Sequence, residues 1–468
     1  MSPITNCPIE KMRLAGLNQA SISAFQRGYE QLCAGRDLKI SENSIESVND
    51  LDGYEDLPEC DPEQIANLLR ETVIIKLNGG MGTGMGLDKV KALLPVRGGM
   101  NFLDVLVNQV LYLRSNHCEE LRFLLMNSLS TSDDTKTYLS RYPELGSAES
   151  IELMQNWVPK INANDLSAAN FPDSVNLEWC PPGHGDVYAS LFGTGTLDRL
   201  IDAGIRFAFI SNSDNLGATL DFKILNGFKQ LGSSFLMEVT QRTEADKKGG
   251  HLAKKKDEGS LILREIAQCE DEDYAAFQEI RNHSYFNTNN IWVRLDSLKE
   301  HMMNSGGIIE LPVIKNRKTV NPNDSSSLPV YQLEVAMGSA IECFKDSVAL
   351  NVPRSRFAPV KTSEDLFALQ SDSYSMTEDF QIKLRSERNG VPPLISLDDE
   401  HYARAEQLIL ATQFGVPSIL NCSKLEIEGP VVFNEGTIFE GSVTVRNSSK
   451  HTQALSAGKY KDEIIELN

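Results

Sequence analysis

TVIIKLNGGMGTGMGLDKVKALLPV, residues 72–96, decides the reading of the fold. TVIIKLN (72–78) is mostly β-branched and apolar, the composition of a short strand with both faces buried. It runs directly into a loop containing Gly79, Gly80, Gly82, Gly84 and Gly86. Glycine tolerates positive φ and lets a backbone pass close to a ligand, so successive N–H groups can converge on an anion. Ordering so many glycines costs more entropy than a plain turn justifies, which marks the loop as a binding element. Two familiar nucleotide loops are excluded. A Walker A loop needs GxxxxGK[ST], and the loop has no Gly-Lys pair. A GxGxxG fingerprint fails because Gly80 and Gly82 are followed by Met85, and Gly82 and Gly84 by Leu87.

Outward from this loop, residues 65–380 alternate apolar runs with helical stretches. The runs are RFLLMNS (122–128), RFAFISN (206–212), FLMEVTQ (235–241) and NIWVRL (290–295). NFLDVLVNQVLYLRS has an apolar face at Phe102, Val105, Leu106 and Val110. Buried strands separated by amphipathic helices predict an α/β domain with a mixed, mostly parallel central sheet. Ligands gather at the carboxyl ends of such strands, which points to the turns after Asn78, Asn127 and Asn212. Residues 1–64 read as a helical lead, with Ile22, Phe25, Tyr29 and Leu32 at helical spacing and Ser21 as the expected N-cap. Residues 381–468 change character. In LEIEGPVVFNEGTIFEGSVTVRN (425–447), Ile427, Phe433, Phe439 and Val445 recur every six residues with Gly429, Gly436 and Gly441 between them. That period predicts turns of a parallel β-helix, with a β-meander as the alternative. The open end of such a stack is a candidate surface for homo-oligomers.

The composition bounds the partners. A length of 468 residues is enough for about three units of roughly 150 residues. Lys and Arg total 45 against 65 Asp and Glu, a formal net charge of −20. Such a field repels polyanions, so nucleic-acid binding is disfavoured, while a local basic pocket for a small phosphate remains open. The first residues, MSPITNCPIEKMRLAG, lack the apolar core of a signal peptide, and no run of about 18–20 apolar residues would span a bilayer. The eight cysteines are scattered, without a CxxC pair or zinc-ligand spacing. The expected setting is a reducing cytoplasm, away from membranes.

The glycine loop resembles the GxGT-then-lysine signature of sugar-1-phosphate nucleotidyltransferases. More narrowly, the chain resembles the eukaryotic-type UTP–glucose-1-phosphate uridylyltransferases. The likeness runs in order through LNGGMGTGMG (77–86), LMNS…DDT (125–135), WCPPGHGDVY (179–188), ISNSDNLGA (210–218), EADKKGGHL (244–252), EIAQ (265–268), FNTNNIW (286–292), QLEVAMGSAI (332–341), NVPRSRFAPVK (351–361) and QSDSY (370–374). It implies a Rossmann-like nucleotidyltransferase domain followed by a C-terminal left-handed parallel β-helix. The implied reaction joins glucose 1-phosphate to UTP, giving UDP-glucose and pyrophosphate, with Mg²⁺ as cofactor.

In-line attack on a phosphorus atom needs positioning and positive charge, not a protein nucleophile. The resemblance assigns Lys91 to the triphosphate, although Val90 stands where the family usually has proline, and Lys89 is a competing contact. Leu77, Gly79 and Gly80 belong to the same substrate loop. Asp214, just beyond an apolar strand, is the expected Mg²⁺ ligand, since Mg²⁺ needs few protein carboxylates. Asn212 is expected on the sugar, the Gly185 backbone and Gln155 on the uracil, and His184 near phosphate or sugar as a contact. An amide both donates and accepts, as reading a pyrimidine edge requires. Gly250, Glu265, Asn287 and Asn289 are expected around the glucose hydroxyls. Lys361 is expected to hold glucose 1-phosphate and the transferring phosphate. Arg354 and Arg356 are either phosphate-facing or structural, with structural ion pairs favoured. The alternatives are a UDP-N-acetylhexosamine or broad-specificity UDP-sugar pyrophosphorylase and a catalytically silent UDP-sugar-binding homologue. Asn78 and PPGHG, in place of alanine and PPGNG, side against the first; Lys91, Asp214 and Lys361 together side against the second.

Overall fold

The structure, a computed structural model, describes residues 6–36, 38–82, 85, 86, 90–243 and 246–467. Within the glycine loop, Thr83, Gly84 and Leu87–Lys89 therefore lie outside the described residues, and Lys89 with them. The chain opens with helices α1 (Pro8–Leu14) and α2 (Gln19–Cys33). Ile22 and Phe25 of α2 are buried against Val158, Val313 and Leu333. Ser21 does not cap α2. Asn18, in extended conformation, accepts from Ser21 N at 2.9 Å, because asparagine caps as well as serine and sits one turn earlier.

The centre is a ten-stranded sheet among the described residues. In chain order its strands are β1 (Ile45–Ser47), β2 (Thr72–Asn78), β3 (Arg122–Asn127), β4 (Glu152–Met154), β5 (Phe207–Asn212), β6 (Phe235–Gln241), β7 (His251–Lys255), β8 (Leu261–Arg264), β9 (Tyr285–Arg294) and β10 (Val348–Asn351). The main path runs β1-β7-β9-β5-β2-β3-β4. All residues of β2 are buried. Ile74 packs on one face with Leu106 and Val110 of helix α3 (Phe102–Asn116), while Val73, Ile75 and Leu77 pack on the other with Tyr188 and Leu191.

The sheet is mixed, as expected, but it is not mostly parallel. β5-β2-β3-β4 is parallel throughout. The other half is organised by β9, which runs antiparallel to β5, β6 and β7. β7 and β8 are joined by a short turn and so pair antiparallel, and β9 meets β7 at Phe286 opposite His251. What positions the site is the parallel half. Leu77 pairs with Asn212 and Asn78 with Asn127, so the turns after β2, β3 and β5 emerge side by side.

The tail holds β11 (Leu394–Leu397), β12 (Ser418–Glu428), β13 (Val431–Phe433), β14 (Thr437–Asn447), β15 (Gln453–Leu455), β16 (Gly458–Lys461) and β17 (Ile464–Leu467). These pair with one another in parallel, which excludes the β-meander. Ile427, Phe433, Phe439 and Val445 all point inward, at most 2 % exposed. One hydrophobic cluster runs without a break from α3 and Ile74 through Phe367 to Phe433 and Val445. No helix among the described residues is long and apolar enough to cross a membrane.

Candidate active site

The three adjoining turns are bonded to one another. Asn78 Nδ2 donates to Asn127 Oδ1 at 2.8 Å and to Thr135 Oγ1 at 3.0 Å, joining the ends of β2 and β3. Ser213 N donates to Leu77 O at 3.0 Å, joining β2 to the turn after β5. The glycine loop then closes on itself, Lys91 N donating to Gly80 O at 3.3 Å. This return places Lys91 Nζ 2.5 Å from Asp214 Oδ2. Among the described residues, nothing stands within 4 Å of where a Gly80 side chain would begin.

On one side lies the loop Pro181–Asp186. Gly183 has φ +85°, and a Cβ there would meet Val335 O at 2.5 Å, so only glycine fits. Gln155 Nε2 donates to Gly183 O at 3.0 Å, and its Oε1 lies against Gly79, where a Cβ would come within 2.6 Å. Gly185 is buried against Leu311 and Val335. Asp186 beneath it accepts from Asn156 N at 2.7 Å and Ser190 Oγ at 2.8 Å; burial nevertheless pushes its carboxyl up to about 6. His184 Nδ1 accepts from Met337 N at 3.0 Å, which leaves the proton of a neutral imidazole on Nε2. Burial, reinforced by the charge of Lys361, lowers His184 to about 4, with Asp214 acting in the opposite sense.

On the other side, β6 and β9 part at a bulge beside Val239. There Asn289 takes a left-handed conformation, φ +57°. Asn287 Nδ2 donates to Asn289 Oδ1 at 3.0 Å, and Asn289 N donates back to Asn287 Oδ1 at 2.9 Å, fixing both amides. Asn287 N donates to Gly250 O at 3.1 Å, and the Glu265 carboxylate covers Gly250 so closely that a Cβ would lie 2.6 Å from it. Burial raises the Glu265 pKa and Lys361 opposes the rise. Lys361 is exposed, yet its charge is felt at both His184 and Glu265. Its segment is tied to the Asp214 turn by Val360 N donating to Asp214 O at 3.1 Å.

The expected site residues thus converge: Leu77, Gly79, Gly80, Lys91, Gln155, His184, Gly185, Asn212, Asp214 and Lys361 around the strand ends, with Gly250, Glu265, Asn287 and Asn289 flanking them. Arg354 and Arg356 are structural. Arg354 makes two bonds to Asp246, at 2.7 and 3.0 Å. Arg356 makes two 2.7 Å bonds to Glu238, which also accepts from Asn290 and Trp292. Sequence pattern does not mark Met337, which orients His184, or Lys76, buried in β2; a lysine inside an apolar strand is the available sign of the second.

The residues present fit a magnesium ion shared with a phosphate ligand. Asp214 Oδ1 is buried and has no hydrogen-bond partner among the described residues, while Oδ2 is held by Lys91. No group of three or more His, Cys, Asp or Glu suited to a metal exists among the described residues. A single carboxylate suffices for Mg²⁺, which completes its octahedron with phosphate oxygens and water.

The chain matches known proteins over most of its length. The family model described as UTP–glucose-1-phosphate uridylyltransferase matches residues 22–440. A protein of that description from Musa acuminata is 37% identical over 460 residues, covering 97% of this chain and 96% of its own. Among solved structures, UDP-glucose pyrophosphorylase from Leishmania major superposes with a TM-score of 0.94 at 44% identity, over 100% of both chains. A variant of that enzyme in complex with UDP-glucose matches at 0.93 and 43%, again over 100% of both.

Proposed function

This chain belongs to the UTP–glucose-1-phosphate uridylyltransferase family, and on that premise we infer how its own residues carry the reaction. It is a nucleotidyltransferase that moves uridylyl from UTP to glucose 1-phosphate, giving UDP-glucose and pyrophosphate. In our reading the sugar phosphate oxygen attacks the α-phosphorus in line and pyrophosphate leaves; the reverse reaction uses the same contacts. The carrying observation is the convergence of Lys91, Asp214, His184 and Lys361 where β2, β3 and β5 end.

Lys91 neutralises the triphosphate. Lys361, exposed and with its charge felt at both His184 and Glu265, bridges glucose 1-phosphate and the α-phosphate, placing charge where it builds in the transition state. Neutral His184 offers Nε2–H to an anionic oxygen without exchanging its own proton near neutral pH. The Gly185 backbone and Gln155 Oε1 take the uracil edge. Asn212, Glu265, the interlocked Asn287 and Asn289, and the Gly250 backbone take the sugar hydroxyls. Asp214 would hold Mg²⁺, which when bound neutralises phosphate charge.

We read residues 1–64 as a helical lead, 65–380 as the catalytic domain, and 381–468 as a linker with a left-handed parallel β-helix. The parallel pairing of the tail strands supports that last reading. Exposed Leu410, Phe414 and Val416 on the tail support self-association there. Eight unpaired cysteines support a cytoplasmic setting. Pyrophosphate release from UTP, Mg²⁺ and a panel of sugar 1-phosphates tests the substrate assignment. Glucose 1-phosphate is expected to exceed galactose and N-acetylglucosamine 1-phosphates; parity among them would sink it.

A further inference from the structure

Lys76 is the only charged residue of β2, and it is buried at the centre of the sheet, 3 % exposed. Among the described residues it has no carboxylate at ion-pair distance. Its Nζ instead donates to Ser211 Oγ at 2.7 Å and to Ala218 O at 2.5 Å. Those two residues are the ends of ISNSDNLGA's turn, which carries Asp214 at its middle. Burying a lysine without an ion pair is unfavourable, burial lowering its pKa to about 7, and an apolar side chain of similar length would fill the space at lower cost. What the apolar chain cannot do is hold both ends of the turn at once.

The turn is in turn the seat of the Lys361 segment. A Cβ on Gly217 would lie 2.5 Å from Ser355 O, so the two backbones are in contact. Asn215 Nδ2 donates to Arg356 O at 3.2 Å, and Ala358 N donates to Asn215 Oδ1 at 2.9 Å. A shift of the turn therefore displaces Lys361 as well as Asp214.

We propose that Lys76 is a positioning residue for uridylyl transfer: its amino group ties Ser211 to Ala218 and so sets Asp214, and through Asn215 the Lys361 segment, against the reacting phosphates. This rests on the roles given above to Asp214 and Lys361. The test compares Lys76→Met, Ser211→Ala and Asp214→Asn, each checked for folded structure by circular dichroism and thermal melting. Lys76→Met is expected to lower kcat about 10–100-fold, the range seen when a group that orients a metal ligand is lost. KM for UTP and for glucose 1-phosphate should stay within about threefold, since no substrate contact is removed. The Mg²⁺ concentration for half-maximal rate should rise. Ser211→Ala, which removes one tie and keeps the lysine, should move the same quantities less. A folded Lys76→Met protein that melts lower but keeps its kcat and Mg²⁺ dependence overturns the proposal, because a merely structural role predicts that pattern. If Lys76→Met does not fold, Ser211→Ala decides alone, and an unchanged kcat and Mg²⁺ dependence there overturns it. Asp214→Asn separates the two levels: if it leaves activity intact, the role of Asp214 falls and the tie with it. If it abolishes activity while Lys76→Met changes nothing, only the tie falls.

Discussion

Lys91 and Asp214, 123 residues apart in sequence, form a partly buried ion pair with Nζ 2.5 Å from Oδ2. The residue assigned to the triphosphate and the residue assigned to the metal are thus in direct contact, and neither can be changed without affecting the other. In a double-mutant cycle of Lys91→Met and Asp214→Asn, kcat/KM is expected to be non-additive by about 0.5–3 kcal/mol. Strict additivity would show that the two groups act independently.

Lys361 contributes charge from an exposed position, so its loss should spare the fold. Lys361→Ala is expected to lower kcat about 10²–10³-fold, as loss of a group stabilising transition-state charge does. UTP binding, followed by calorimetry, should be nearly unchanged. Turnover close to that of the unmodified protein would remove Lys361 from the mechanism.

Gly250 sits beneath the Glu265 carboxylate. Gly250→Ala must push that carboxylate aside, a cheap movement for the fold but a misplacement for a sugar hydroxyl. KM for glucose 1-phosphate should rise about tenfold, with KM for UTP unaffected. Equal changes in both constants would place Gly250 elsewhere than at the sugar.

His184 is held near pKa 4 in the fold, below its ordinary 6.5. The folded state binds this proton less tightly than the unfolded chain, so acidification favours unfolding. The contribution to stability is complete above about pH 6.5 and falls by about 2 kcal/mol at pH 5, continuing as the pH passes through the folded value. Urea unfolding of the protein and of His184→Gln between pH 7 and 5 measures this. A stability difference between them that does not change with pH would contradict it.

Much of this was legible because it is local. TVIIKLN, RFAFISN and FLMEVTQ announce strands by composition, and the six-residue spacing of Ile427, Phe433, Phe439 and Val445 announces inward-facing positions. The turns after Asn78, Asn127 and Asn212 could be marked because a parallel arrangement brings strand ends together. What was not legible depends on partners distant in sequence. That β9 runs antiparallel to its neighbours follows from where the chain returns, which no local pattern encodes. Asn18 caps α2 from outside the apolar periodicity, so the pattern points to Ser21 instead. The Arg356–Glu238 pair spans 118 residues, and the pairing of Gln155 with Gly183 spans 28; chemistry suggests such residues need partners but not which ones.

The unbroken hydrophobic cluster from α3 to Val445 has a consequence for cooperativity. The tail strands and the nucleotide-binding half share one interior, so neither can lose its packing without exposing the other's apolar surface. Heating should therefore produce a single calorimetric transition, and a ligand seated at the glycine loop should raise the melting point of the tail as much as that of the sheet. A chain cut between the two would present an open core to water, which makes the C-terminal stack a thermodynamic part of the enzyme even where it touches no substrate.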